Sequence, residues 1–485
     1  MKLVLDRIAE SIERSPAAPA FIAGGQAISY RQFQALQFAL AADLHARGIR
    51  EGDTVALMLD HSPIHLCAIL ALARLGAVSF AVSPGLSPEA ATALLRRHGI
   101  AKALASREAQ RLPGIETAVI AQLAAKGSES GAGLPAIGAR PEAPLRMSLT
   151  SGTTGMPKAI VQTHGGFALR MGQSLWNPDR RSRAIAPELH FTAGLMLVLT
   201  TLAAGGVVVF PKSYEPADFL AAIQLHAVTH VALSPAVLAR MASLLPAESP
   251  AFPSLTHLRI MGATPSAPAL ATIARKFTPE IYLPYAMGEL GVITMATPGI
   301  VAAHPGSSGR VQPWARLEVL DDSGRSVPPG TAGELRVAVE GMPAGYHGPD
   351  AGAASKFRDG WFHPGDRGLI TAEGLVYIEG RSDEILNAGG TKAAPAFIEA
   401  ILEQFPGVRE AGVFPVPGKD GETAIAAAIA VEGRIDQPGL AAFCRERLGP
   451  LAPARFYLVD ALPRGDMDKI RRAELAAFVG AVPAR

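Results

Sequence analysis

A chain of 485 residues, 49% hydrophobic and 18% charged, holds enough apolar material for a large core without metal or disulfide staples. Lysine and arginine number 45 against 43 aspartate and glutamate, and a net charge of +2 supplies no field for steering toward nucleic acid or an anionic membrane, which excludes a general polyanion binder. Two cysteines, Cys67 and Cys444, cannot make a disulfide framework, and Asp6 breaks the N-terminus before an apolar signal core can form, so the expected compartment is the cytosol.

The 49 glycines and 39 prolines call for many tight loops while staying below the level of low-complexity disorder. Ser29 and Gln32 stand at capping-box spacing before Phe33, Leu36, Leu40 and Leu44, which predicts a helix with one apolar face. A strand-like run over residues 54–59 followed by a helical run over 64–75 is the alternation of an α/β fold with parallel strands. Residues 121–143 are rich in Gly, Ser, Ala and Pro, yet the strand predicted over 145–149 leads directly into a chemically loaded loop, so no domain boundary is placed there.

That loop reads Ser148, Leu149, Thr150, Ser151, Gly152, Thr153, Thr154, Gly155, Met156, Pro157, Lys158. Hydroxyls alternating with glycines let a backbone approach an oxyanion and offer N–H and O–H donors, and Lys158 adds a point charge. The string suits a polyphosphate, although a polar surface turn has the same composition. It is not a Walker loop, because Lys158 runs into Ala159, Ile160 and Val161, a predicted strand, where a Walker loop has Ser or Thr.

The apolar stretch 194–210 is shorter than a membrane span of about 20 residues and contains Gly205 and Gly206, which predicts a buried helix followed by a strand. Further along, the strand predicted over 258–261 ends in the turn Gly262, Ala263, Thr264, Pro265. The run Tyr285, Ala286, Met287, Gly288, Glu289 places an aromatic ring near a carboxylate, and Gly365–Asp366 follows Gly360, Trp361 and Phe362. Past Gly380 the composition changes to a compact α+β set: Pro395 opens a helix with Phe397, Ile398, Ile401, Leu402 and Phe405 assigned to its apolar face, and strands are predicted over 424–431 and 454–459. The expected organisation is a large N-terminal domain, 1–381, of mixed and mainly parallel sheets layered with helices, and a small α+β domain, 382–485.

Taken together and in order, these motifs resemble the adenylate-forming superfamily, which includes acyl-CoA synthetases, aryl-CoA ligases, luciferases and the adenylation domains of peptide synthetases. The resemblance implies ATP, Mg²⁺ and coenzyme A as ligands, and activation of a carboxylic acid as acyl-adenylate before transfer to a thiol. It implies that Thr150, Ser151, Gly152, Thr153, Thr154, Gly155 and Lys158 hold phosphates, and that Gly262, Ala263, Thr264, Tyr285, Ala286, Met287 and Gly288 surround adenine and the α-phosphate. Glu289 would ligate Mg²⁺, Asp366 would accept from the ribose hydroxyls, and Arg381 would contact ribose or phosphate. His190 would gate an acyl pocket lined by Phe191, Met261, Gly262, Ala286 and Gly291; Asp383 would be the hinge, Gly389 and Gly390 the pantetheine path, and Lys469 the adenylation lysine.

Three positions depart from the family pattern: Ala159 and Asp468 stand where it has glycine, and Gly288 where it has a threonine whose hydroxyl holds the α-phosphate. Restoring that hydroxyl with Gly288→Thr is expected to keep or raise turnover. The leading reading is an acyl- or aryl-CoA ligase acting on an aryl or medium-chain acid. A stand-alone enzyme loading a separate carrier protein and a non-catalytic nucleotide- or acyl-binding homologue are the alternatives. No nucleic-acid partner and no membrane span are expected.

Overall fold

Local sequence logic is visible in the first elements. Ser29 Oγ accepts from the Gln32 N–H at 3.2 Å and Gln32 Oε1 accepts from the Ser29 N–H at 2.8 Å, closing the expected capping box on the helix Tyr30–Ala46. Tyr30, Phe33, Leu40 and Leu44 on this helix are buried. The computed structural model describes residues 2–83, 85–120, 140–150, 158–185, 188–246, 252–348, 356–384, 386–388, 391–417, 423–464 and 470–480.

Two sheets enclose a layer of helices. The first runs in the order Glu116–Val119, Lys102–Ala105, Thr54–Met58, Val78–Ala81, Pro144–Thr150, Lys158–Thr163, parallel except for the last antiparallel pair. The second has nine strands, with a parallel centre made of Ile281–Met287, His257–Ile260, His230–Leu233, Arg183–Ile185, Val207–Phe210 and Pro19–Ala23. Its antiparallel flanks are Gln26–Ser29 on one side and Gly291–Ala296 with Arg310–Val311 on the other. One core cluster joins Leu57 and Leu104 of the first sheet, Phe21 and Phe210 of the second, and Leu40, Leu70 and Leu199 from the helices between them. Near-continuous apolar strands such as Val207–Phe210 follow from burial on both faces.

The stretch 194–210 resolves as expected into the helix Thr192–Ala203 and the strand Val207–Phe210. The connection needs glycine for two different reasons: Gly205 has φ +84°, and a Cβ on Gly206 would meet the Ser182 carbonyl oxygen at 2.8 Å. Among the described residues no helix is long and apolar enough to cross a membrane.

A third, antiparallel sheet carries Gly333–Val339, Asp366–Ile370 and Val376–Arg381, with Ala315–Leu320 on its edge. The small C-terminal domain packs the helices Pro395–Leu402, Gln437–Leu448 and Arg472–Gly480 on a sheet of Val408–Pro417, Thr423–Val431 and Arg455–Val459. Its core includes Ile398, Leu402, Val413, Ile425 and the free thiol Cys444, while the other free thiol, Cys67, is buried in the large domain. Phe397 corrects the expected apolar face: it is 54% exposed. Residues 398 and 402 share one helical stripe, and position 397 sits about 100° away from 398 on a helix only two turns long. Phe405 lies past the helix end and packs edge-on against Phe443 at 5.4 Å.

At the start of three adjacent parallel strands the rings of His230, His257 and Tyr282 form a ladder, with centroids 5.1 and 3.8 Å apart and planes within 10°. Burial pushes the His230 pKa down to about 4 and that of His257 to about 2. The unfolded chain protonates these imidazoles below pH about 6.5 while the folded chain does not, so their contribution is complete above that pH and is lost as pH falls toward 4, by up to about 1.4 kcal/mol per pH unit for each ring. The melting temperature is therefore expected to fall steadily between pH 6.5 and 4, and His257→Phe to flatten that slope; a slope unchanged in the variant refutes the role given to His257.

Candidate active site

The register of the Pro144–Thr150 and Lys158–Thr163 hairpin sets Thr150 directly opposite Lys158. Both ends of the hydroxyl-rich loop are thereby fixed side by side. Ser151, Gly152, Thr153, Thr154, Gly155, Met156 and Pro157 lie outside the described residues. Lys158 Nζ stands 5.0 Å from the centre of the Tyr346 ring, a cation–π distance. The Tyr346 hydroxyl donates to Glu289 Oε1 at 3.0 Å and is also hydrogen-bonded to the Thr150 side chain. Its pKa is raised, first by burial and then by the Glu289 charge. Base of the loop, cation and buried carboxylate thus form one group.

Glu289 lies in the tight connection between Ile281–Met287 and Gly291–Ala296, where Met287 pairs with Gly291, whose φ is +83°. The connection is held from below by Arg170 on the helix His164–Gly172, whose Nη1 donates to the Gly288 carbonyl at 3.1 Å and whose Nη2 donates to that of Glu289. Gln162 Nε2 reaches the Gly288 carbonyl at 3.5 Å. Burial lowers the Arg170 pKa to about 10, against the pull of Glu289. Gly288 faces the loop: a Cβ there would stand 3.2 Å from Thr150 Cγ2.

On the third sheet, Asp366 is paired with Arg381 in register. Asp366 Oδ2 accepts from the Tyr285 hydroxyl at 2.5 Å and Oδ1 accepts from Arg381 Nη1 at 3.3 Å. The same nitrogen donates to the Pro364 carbonyl at 2.6 Å, and Arg381 Nε donates to Asp383 Oδ1 at 3.1 Å. Burial opposes the Arg381 charge, but the Asp383 and Asp366 carboxylates outweigh it and hold the pKa above its ordinary value. The Tyr285 hydroxyl is pushed well above its usual range by burial and by the Asp366 carboxylate. Lys356 Nζ donates to the Pro364 carbonyl at 2.8 Å and adds a second cation beside Asp366.

His190 ends the turn before the helix Thr192–Ala203, its ring 4.0 Å from that of Phe191 and its Nε2 3.4 Å from Glu188 Oε2. Burial, and then the Arg146 charge, lower its pKa to about 4, so the imidazole is neutral at pH 7. Met261 closes the strand His257–Ile260 and packs on the cluster of Trp176, Leu197 and Ala232. Gly262, with φ +95°, Ala263, Thr264, Ala286 and Gly288 are solvent-exposed, and a Cβ on Gly291 would stand 3.8 Å from Arg170 Cδ. Hydrogen bonds and the cation–π contact join Thr150, Lys158, Tyr346 and Glu289 into one group and Tyr285, Asp366, Arg381 and Asp383 into a second, and the Glu289 charge acts on Tyr285 and that of Arg381 on Tyr346. Gly389, Gly390 and Lys469 lie outside the described residues.

The donor set fits a hard divalent cation. Glu289 is a buried carboxylate with one oxygen engaged by Tyr346. Among the described residues no cluster of three or more His, Cys, Asp or Glu forms a cage. A single carboxylate completed by phosphate and water oxygens is the arrangement that Mg²⁺ prefers.

The family model for AMP-binding enzymes matches residues 8–347, and the model for the AMP-binding enzyme C-terminal domain matches 398–469. The chain belongs to the AMP-binding enzyme family. Among its relatives, feruloyl-CoA synthase of Amycolatopsis sp is 29% identical, with 96% of this chain and 97% of the relative covered. The 2-succinylbenzoate–CoA ligase of Geobacillus kaustophilus is 30% identical over 90% of both chains. The o-succinylbenzoate coenzyme A synthetase of Bacillus subtilis, solved with ATP and magnesium ion, superposes with a TM-score of 0.86 at 25% identity, covering 97% of this chain and 99% of that one.

Arg146, Gln162, Arg170, Tyr346 and Lys356 escape the motif reading of the sequence. Arg170 leaves a trace there as the one charge in the run 167–171, whereas Arg146 alternates with Ser148 and Thr150 and reads as part of a polar strand face. Tyr346 and Lys356 sit in irregular segments, where only the fold brings them to Glu289 and Asp366.

The close approach of Gly288 to Thr150 changes what its replacement should do. A threonine here must displace the Thr150 methyl by a few tenths of an ångström, so Gly288→Thr alone is expected to raise the KM for ATP several-fold. Thr150→Ser removes that methyl, and the double variant should recover most of the loss. A double variant no better than the single, measured by ATP-dependent turnover, contradicts the packing argument.

Proposed function

We propose that this protein joins a carboxylic acid to the thiol of coenzyme A in two ATP-dependent half-reactions and that its substrate is an aryl acid. In the first, a carboxylate oxygen attacks the α-phosphorus of ATP, and pyrophosphate leaves as the acyl-adenylate forms. In the second, the coenzyme A sulfur attacks the acyl carbon and AMP leaves with the electrons of the broken C–O bond. Attack of one anion on another asks for charge neutralisation and alignment more than for a strong base.

The observation that carries the reading is that the Tyr285–Asp366–Arg381 group lies within electrostatic reach of the Thr150–Lys158–Tyr346–Glu289 group, the Glu289 charge acting on Tyr285 and that of Arg381 on Tyr346. The first offers an aromatic face and a carboxylate to a nucleoside, since two acceptor oxygens match a vicinal diol. The second offers hydroxyls and a cation to phosphates. Mg²⁺ bound at Glu289 would neutralise phosphate charge. Ser151, Gly152, Thr153, Thr154 and Gly155 complete the phosphate cradle, and Gly262, Ala263, Thr264, Ala286 and Met287 border the adenine. His190, Phe191, Met261, Ala286 and Gly291 surround the acid, and a neutral His190 leaves the substrate carboxylate free to attack.

Lys469 supplies the cation for the adenylation step. For thioester formation the small domain, 382–485, turns about Asp383, and Gly389 and Gly390 pass the pantetheine arm. The Arg381–Asp383 ion pair would change partners in that turn. Relatives named feruloyl-CoA synthase, 4-coumarate–CoA ligase and 2-succinylbenzoate–CoA ligase support coenzyme A as acceptor and an aromatic acid as substrate. Two buried free thiols support a cytoplasmic location.

Incubation with ATP, Mg²⁺ and a panel of hydroxycinnamic, benzoic and medium-chain acids should release pyrophosphate with at least one aromatic acid, and added coenzyme A should give its thioester. ATP binding without pyrophosphate release from any acid would refute the enzyme reading; acyl transfer only to a carrier protein would replace the acceptor. Lys469→Ala should cut adenylate formation by a factor of about 10² or more while sparing thioester formation from supplied acyl-adenylate, and equal loss in both half-reactions contradicts the domain turn.

A further inference from the structure

Behind His190 lies a polar cluster that the reaction as described does not use. Arg146, on the strand Pro144–Thr150, is fully buried. Its Nη2 donates to the carbonyls of Leu189 at 2.8 Å and His190 at 2.9 Å, and its Nε donates to Ser148 Oγ at 3.2 Å. No described carboxylate pairs with it, and Nη1 has no hydrogen-bond partner among the described residues. The same turn is held from the other side by His61, whose Nδ1 accepts the Leu189 N–H at 3.1 Å.

Ser148 extends the cluster in two directions. Its hydroxyl accepts from Thr192 Oγ1 at 2.9 Å, the first residue of the helix that follows the gate, and donates to Gln162 Oε1 at 3.1 Å. Gln162 in turn reaches the Gly288 carbonyl. A buried guanidinium without a counterion is costly unless its hydrogen bonds hold something in place. Here they hold the backbone of the turn at Leu189 and His190.

We infer that Arg146, with Ser148 beside it, is the positioning residue that sets the His190 turn, so that it governs capture of the acid separately from capture of ATP. The inference rests on the proposed acid pocket at His190. An apolar residue at 146 leaves the Leu189 and His190 carbonyls without this donor, and the turn keeps only its remaining bonds, among them that of the Leu189 N–H to His61. Lysine retains a charge and can donate to a carbonyl but cannot reproduce the fork that spans Leu189, His190 and Ser148.

The test measures acid-dependent ATP–pyrophosphate exchange by the full chain, with the melting temperature of each variant recorded. Arg146→Met is expected to raise the KM for the acid about tenfold or more while the KM for ATP moves less than about twofold, corresponding to the loss of charged hydrogen bonds at one substrate only. Arg146→Lys should recover part of the loss, and Ser148→Ala should shift the acid KM in the same direction by a smaller factor. A folded Arg146→Met with an unchanged acid KM, or with equal rises for acid and ATP, overturns the inference. If Arg146→Met does not fold, an unmoved acid KM in Ser148→Ala overturns it instead. Wild-type protein that exchanges no pyrophosphate with any acid fells the proposed reaction and the inference together, whereas normal wild-type exchange with unmoved variants fells the inference alone.

Discussion

An irregular loop can line a buried cleft only when its carbonyls find donors. In this protein arginine side chains supply many of them. Arg146 takes the carbonyls of Leu189 and His190, Arg170 those of Gly288 and Glu289, and Arg381 that of Pro364. Each guanidinium starts on regular structure and ends on a loop, so three separately folded segments are fixed against one another by directed bonds. Apolar packing alone would hold the sheets together without fixing these loops at hydrogen-bond precision.

The same arrangement shapes the electrostatics. Arg146 is wholly buried with no described carboxylate partner, and Arg170 donates to the Glu289 carbonyl while the Glu289 charge only partly offsets the cost of its burial. Positive charge is thereby built into the walls of a cleft whose proposed ligands, ATP and a carboxylate, are anions. A chain with a net charge of only +2 can then attract such ligands locally without becoming a general polyanion binder.

Motifs that are contiguous in the chain were legible from sequence because each carries its chemistry in a few neighbouring residues. The hairpin around Lys158, the turn at Gly262 and the strand end at Asp366 are all of this kind, and the layered α/β architecture follows from the alternation of strand and helix patterns. Cross-chain partnerships were not legible. Nothing near Tyr346 in the sequence announces that its hydroxyl meets Glu289, 57 positions away, and nothing near Asp366 announces Tyr285, 81 positions away. Phe397 shows the opposite limit: apolar character in a helical run predicts burial, but position 397 lies off the stripe that buries Ile398 and Leu402. Gly288 reads from the motif as a missing hydroxyl and from the structure as a place where a side chain would crowd the Thr150 methyl.

The state of Asp366 bears on the later stages of a reaction cycle. Both of its oxygens already hold donors, the Tyr285 hydroxyl on one and Arg381 on the other. A ribose arriving under the proposed reaction meets no bare carboxylate and must share or displace bonds that the protein has made for itself, so its net gain is the difference between two similar interactions. If AMP departs from there as proposed, Tyr285 and Arg381 can close again on the carboxylate without waiting for water to solvate it. Nucleotide exchange would then trade one set of donors for another, which favours a site that must release its product as readily as it takes up its substrate.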